Sequence, residues 1–252
     1  MPIARTLSPI LLLLAWTAAP VHTQVIRSYE SLDRAAGEAG YATLAFGFDG
    51  SLGNTEKAEF DLSGAVGYRG DRHWLRLYPS YLITRVGGET TEHERAIHLR
   101  HSYRLSGALS TYAFVQLQAD ESLDLDRRLL VGGGVRRRLL ALEGGGLDVG
   151  VGAMWEEERI TGGLRQRTLR GANLMSVSGT AGVVALTLTG FYQQAMDDWG
   201  DYRVAFSGSA AVPLGAGWAM DMSMRWRRDT RPPVEVERDD AGISVGLRFA
   251  VN

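Results

Sequence analysis

The chain has 252 residues, a formal net charge of −2 and no cysteine. That balance offers no net basic face to phosphates, which argues against a nucleic-acid partner. The missing cysteine excludes disulfides, thiolate metal sites and a cysteine nucleophile. Lys57 is the only lysine, so nearly all basic character is arginine.

The N-terminus reads as an export signal. Arg5 supplies a positive start, Ile10 to Trp16 form a short apolar core, and Thr17-Ala18-Ala19 are small. A membrane-spanning helix needs roughly 20 apolar residues, more than this stretch offers. Pro20 disfavours cutting directly after Ala19, so cleavage is expected between Ala19 and Gln24, with residues 1–23 removed. Residues 24–40 are expected to form a periplasmic segment or short plug helix, and 41–252 the folded body.

From there a period of two dominates. Twelve strands are expected, at 41–49, 57–69, 72–86, 92–106, 109–119, 124–140, 145–157, 168–180, 183–195, 201–212, 217–228 and 240–251. In the second, Phe60, Leu62, Val66 and Tyr68 oppose Asp61, Ser63, Ala65 and Gly67. The seventh sets Leu147, Val149, Val151 and Trp155 against Asp148, Gly150, Gly152 and Glu156. In the ninth, Leu186, Leu188 and Tyr192 oppose Thr187, Thr189 and Gln193. The eleventh is the clearest: Trp218, Met220, Met222, Met224 and Trp226 share one face, and Ala219, Asp221, Ser223, Arg225 and Arg227 the other. At about 3.4 Å per residue and a tilt near 40°, its two tryptophans stand roughly 21 Å apart along a barrel axis, close to the height of an outer-membrane apolar band. The last strand pairs Ile243, Val245, Leu247 and Phe249 against Ser244, Gly246 and Arg248.

One rule covers these strands: large apolar residues on one face, small or charged ones on the other. A lumen of small and charged residues inside an apolar wall is the pattern of a transmembrane barrel; a water-soluble barrel inverts it. The connections agree. Short turns such as Gly70-Asp71 and Ala181-Gly182 alternate with longer ones such as Gly50 to Glu56 and Asp229 to Asp239, as periplasmic turns alternate with outer loops. The fold class is therefore all-β, an up-and-down antiparallel transmembrane β-barrel of about twelve strands. An even count places both termini in the periplasm. Trp155, Trp218, Trp226, Tyr68, Tyr192 and Phe249 are expected in the membrane-interface girdles. Pro79 must be absorbed by a bulge or ladder gap, His101 points outward, and Asn173 sits awkwardly on an outer row.

The inner row carries the functional signal. Arg76, Arg100, Arg104, Arg128, Arg136, Arg138, Arg225, Arg227 and Arg248 have inward parity, as do Asp61, Glu94, Asp126, Asp148, Glu156 and Asp221. Unpaired, such arginines favour anions and sugar acids in a watery pore; paired, they knit a closed interior. Catalysis finds little support. His98 and Ser102 share a face but lie some 13 Å apart along a strand, too far for a base–nucleophile pair. His98 and His101 point to opposite faces and cannot share a metal ion. Glu156-Glu157-Glu158 is read as a solvated loop mouth, and Gly132-Gly133-Gly134 as a place where the wall curves and approaches other groups. No catalytic residue, metal or cofactor is expected.

Several segments resemble the DUF481 family, the salt-induced outer membrane proteins. They are Gly47-Phe48-Asp49-Gly50-Ser51-Leu52-Gly53-Asn54-Thr55-Glu56, Arg128-Leu129-Leu130-Val131-Gly132-Gly133-Gly134-Val135-Arg136, Asp201-Tyr202-Arg203, and Arg231-Pro232-Pro233 through Asp240 to Gly246-Leu247-Arg248-Phe249. They match in order and rough spacing over nearly all of the mature chain. The resemblance implies an outer-membrane barrel of undefined activity and brings no catalytic residues. The chain departs from a common pattern of such barrels by following Phe249 with Ala250-Val251-Asn252. The expected function is a structural or envelope-stress role without defined chemistry. The alternatives are a narrow channel for anions or acidic oligosaccharides, and an integral lipase-like enzyme. Expected partners are outer-membrane lipid, lipopolysaccharide and the barrel-assembly machinery, with the protein a monomer.

Overall fold

The computed structural model describes residues 40–251 apart from 52–56, 122–124, 143, 164 and 233–236. The expected signal and the segment up to residue 39 lie outside the described residues. The strands are β1 (Gly40–Ser51), β2 (Lys57–Arg69), β3 (His73–Val86), β4 (Glu89–Arg104), β5 (Leu109–Asp120), β6 (Leu125–Leu142), β7 (Gly145–Ile160), β8 (Arg165–Gly171), β9 (Asn173–Ala181), β10 (Val184–Gln194), β11 (Tyr202–Gly215), β12 (Trp218–Asp229) and β13 (Asp239–Val251). Each pairs antiparallel with its neighbour, and the β1–β13 ladder closes the sheet on itself. Closure leaves no open edge, which a structure spanning lipid requires.

β8 and β9 occupy one wall position. β7 pairs with β8 through Ala153–Arg159 and with β9 through Gly146–Gly150, so the barrel has twelve wall strands. The single strand expected at 168–180 is thus divided at Ala172, whose N–H still bonds Gly152 O at 2.9 Å and keeps the β7 register across the division. That division falls beside Asn173, and its side chain donates to Tyr192 O at 3.2 Å. Pro79 interrupts the β2–β3 ladder without moving its register: pairing stops after Ser63–Ser80 and resumes at Val66–Leu77. The connection expected to run from Gly87 to Thr91 is only Gly87-Gly88, both at positive φ, because β4 begins at Glu89. Two glycines there make a tight hairpin turn that L side chains resist.

Exposure is inverted relative to a soluble protein. On β12, Met222 and Met224 are 46 % and 52 % exposed, and on β13 Ile243 is 84 % exposed. Inward-facing Arg76, Arg128, Glu156 and Arg170 are buried. The apolar exterior continues through Ile97, Leu99, Val115, Leu117, Val131 and Val151, far beyond the isolated patches tolerated in water. Trp218, Phe249 and Tyr68 lie towards the end carrying the short turns; Trp155, Tyr192 and Trp226 lie towards the opposite, loop end. Trp218 packs on Phe249 at 5.0 Å between ring centroids and meets Phe46 edge-on at 6.1 Å.

Candidate functional site

The interior changes character along the barrel axis. At the loop end, charges are buried and paired. Arg128 on β6 donates from Nε to Glu158 at 2.8 Å, and the same nitrogen lies 3.0 Å from Glu156. Arg170 on β8 donates to Glu156 at 2.7 Å and to Asp201 at 2.8 Å. Arg203 on β11 reaches Glu156 at 2.6 Å, Glu158 at 3.2 Å and Asp229 at 2.8 Å. β7 and β11 stand three wall positions apart, so the Arg203 bonds cross the lumen. None of these seven side chains is more than 9 % exposed. Charges buried so deeply persist only when paired and hydrogen-bonded. The guanidinium fork serves several carboxylates at once, which a lysine ammonium does less well.

The Glu156-Glu157-Glu158 run is therefore no solvated loop mouth. Strand alternation sends Glu156 and Glu158 into the lumen network. Glu157, on the other face, is held by Arg127 at 3.4 Å, Arg167 at 3.0 Å and Arg165. Asp126 also departs from its expected inward position. A register shift between Leu125 and Arg127 leaves it exposed, where it accepts from Thr161 Oγ1 at 2.9 Å.

The middle is partly filled. His98 pairs through Nδ1 with Gln116 Oε1 at 2.9 Å, and Arg100 Nε donates to His98 Nε2 at 3.3 Å. The imidazole stacks on Phe114 at 5.4 Å, and Phe114, Leu130 and Met154 form a small apolar plug. Glycines make this filling fit. A Cβ at Gly132 would stand 2.7 Å from Phe114 Cζ, and one at Gly134 2.2 Å from Val151 O. The inner wall opposite is built from small residues and is not filled. Ser223 and Ser244 point inward yet are exposed, with their hydroxyls 2.7 Å apart. Arg225 on the same row is exposed and, among the described residues, has no carboxylate within 4.0 Å.

At the short-turn end the lumen widens into a vestibule of about 490 Å³. Among the described residues, six arginines line it (Arg69, Arg72, Arg76, Arg104, Arg136 and Arg138) against a single carboxylate, Asp148. That carboxylate is shared by Arg136 at 3.2 Å and Arg138 at 3.0 Å. Arg69 and Arg76 lie 4.1 Å and 3.7 Å from the Trp74 ring centroid, where the indole face partly offsets their charge.

The lumen arginines read from the sequence thus divide. Arg128 joins the loop-end network. Arg136 and Arg138 share Asp148, while Arg227 pairs with Asp240 and Arg248 with Asp221. Arg76 donates to Ser102 Oγ at 2.5 Å and Arg100 to His98. Arg104 lines the vestibule, and Arg225 faces the unfilled wall. Arg69, Arg170, Arg203, Asp201 and Asp229 are additional. Arg69 and Arg203 carry the inward parity of their strands, so alternation alone could have found them. Arg170 shares the even, inward parity of Thr168 and Ser176, and Asp201 opens the strand expected at 201–212 with the parity of Arg203, so alternation could have found these as well. Among the described residues, no three His, Asp or Glu side chains converge as metal ligands.

A family model described as "Protein of unknown function, DUF481" matches residues 44–251. The chain belongs to the DUF481 family. No curated protein matches this DUF481 sequence. Among solved structures, the NanC porin is 9 % identical, with a TM-score of 0.53 over 83 % of this chain and 98 % of that one. The translocator domain of the autotransporter NalP from Neisseria meningitidis is 13 % identical, with a TM-score of 0.51 over 87 % of this chain and 91 % of that one. At such identities the likeness establishes the fold of an outer-membrane β-barrel and nothing finer.

Proposed function

We propose that this DUF481 protein is a narrow, anion-selective passage in the outer membrane of a Gram-negative bacterium. The short-turn end, where β1 starts and β13 finishes, is placed in the periplasm. The observation that carries this reading is the unfilled inner wall of β12 and β13. There Ser223, Ser244 and Arg225 face the lumen, yet solvent reaches them. A lumen cation without a carboxylate partner attracts anions and repels cations. The substrates would be small inorganic anions, carboxylates or short acidic oligosaccharides. Lipid and lipopolysaccharide cover the outer rows, the assembly machinery inserts the barrel, and a single chain suffices.

The passage performs no chemistry in this reading. Both ring nitrogens of His98 are engaged, by Gln116 and Arg100, leaving neither to activate a nucleophile. A second reading is a closed barrel with a structural or envelope-stress role, and the lumen-crossing bonds of Arg203 favour it. Planar-bilayer recording separates the two. The passage predicts single-channel steps whose reversal potential in a salt gradient is anion-selective, and a several-fold loss of that selectivity in Arg225→Glu. No conductance at any voltage or salt would leave the closed barrel standing.

A further inference from the structure

The short-turn vestibule has a charge balance unlike the rest of the interior. At the loop end three arginines meet four carboxylates; here, among the described residues, six arginines line about 490 Å³ with one carboxylate. Among the described residues, Arg72 and Arg104 are exposed and have no carboxylate within 4.0 Å. Like charges confined together repel, and low-dielectric walls concentrate their field on the enclosed space. Such an arrangement is relieved by an anion.

A second observation points to a ligand. Thr187 lines the same cavity and is 8 % exposed, and its Oγ1 is buried without a hydrogen-bond partner. Trp74 Nε1, on another lining side chain, is likewise buried and unpartnered. A buried donor left unsatisfied is costly, and native structures seldom retain one without cause. With the arginines, these groups make the cavity wall rich in donors, and serines at 102, 110, 176 and 178 add hydroxyls that can donate or accept. An acceptor-rich guest is what that wall can satisfy.

We infer that the vestibule is a binding site for a small multivalent oxyanion bearing carboxylate or phosphate groups, entering from the short-turn end. Guanidinium forks match both groups in geometry, and hydroxyl and indole N–H donors complete the shell. A multivalent guest can meet several of these donors at once, which a monovalent ion cannot. The volume falls within the range of ordinary small-molecule pockets. This inference rests on the proposed passage only for the route by which the anion travels onward; binding itself needs no conduction.

Isothermal titration of the detergent-solubilised full barrel at low salt tests it, with tripolyphosphate and citrate as separate probes. Saturable binding of either probe is expected, and binding of only one would fix the oxyanion class. The double variant Arg72→Ala/Arg104→Ala should lose at least tenfold in affinity. Arg159→Ala, which removes an exposed charge at the opposite end, should stay within twofold. Heat-modifiable gel migration checks that each variant is folded. Binding of neither probe, or a folded double variant that binds as tightly as the parent, overturns the site. Binding without conductance would keep the site and remove the passage; conductance without binding would do the reverse.

Discussion

The two ends of the lumen use the same residue in opposite ways. At the loop end, Arg128, Arg170 and Arg203 are buried among Glu156, Glu158, Asp201 and Asp229, and each guanidinium meets at least two carboxylates. At the short-turn end, six arginines line a vestibule whose one carboxylate among the described residues, Asp148, bonds only Arg136 and Arg138. The first arrangement ties distant wall strands together; the second leaves charge available to whatever enters. An arginine's role in a barrel is thus set by its local count of carboxylates, not by its inward position.

Truncating one residue at each end should break that comparison most sharply. Arg203→Ala takes one partner from Glu156 and Glu158 and strips Asp229 of its arginine, and losing one partner of a buried ionic network costs about 3–5 kcal/mol. Urea unfolding from lipid vesicles should show that loss, together with larger single-channel steps as the lumen-crossing bonds disappear. A variant as stable as the parent would mean the network does not hold the loop end. Next in size is Gly134→Ala. Its methyl would collide with Val151 O, and overpacking of this kind costs about 1–3 kcal/mol, read in the same unfolding assay. Arg104→Ala, the short-turn counterpart of Arg203→Ala, should move stability by under about 0.5 kcal/mol, as for surface positions without partners. A loss approaching that of Arg203→Ala would erase the distinction between the ends. The smallest effect is expected from Arg159→Ala, whose exposed pairing with Asp126 spans 4.0 Å; such surface pairs contribute about 0–1 kcal/mol.

The wall was legible in the sequence because a membrane barrel writes its solvent into every second residue. The Trp218-to-Trp226 row and its partner row through Arg225 came straight from alternation, and the structure exposes them as read. Misreadings fell where the period of two fails. A register shift displaced Asp126, and Gly87-Gly88 shortened a connection that polarity had suggested was long. Pairing was the larger gap. Parity says that Glu156 and Arg203 face inward, but not that they meet across three wall positions. That depends on barrel circumference and stagger, which one strand's sequence does not carry. The vestibule was missed for the same reason, since its arginines come from β2, β3, β4, β6 and the β2–β3 turn.

The absence of native cysteine allows one direct measurement of which surface water touches. Ser223 and Met224 are adjacent on β12 and face opposite ways, Ser223 into the lumen and Met224 outward. In lipid vesicles, Ser223→Cys should react quickly with a water-soluble anionic thiol reagent, while Met224→Cys is shielded by acyl chains. Rapid labelling of Met224→Cys with protection of Ser223→Cys would show the barrel to be inside out relative to the arrangement described, and the lumen to be no passage.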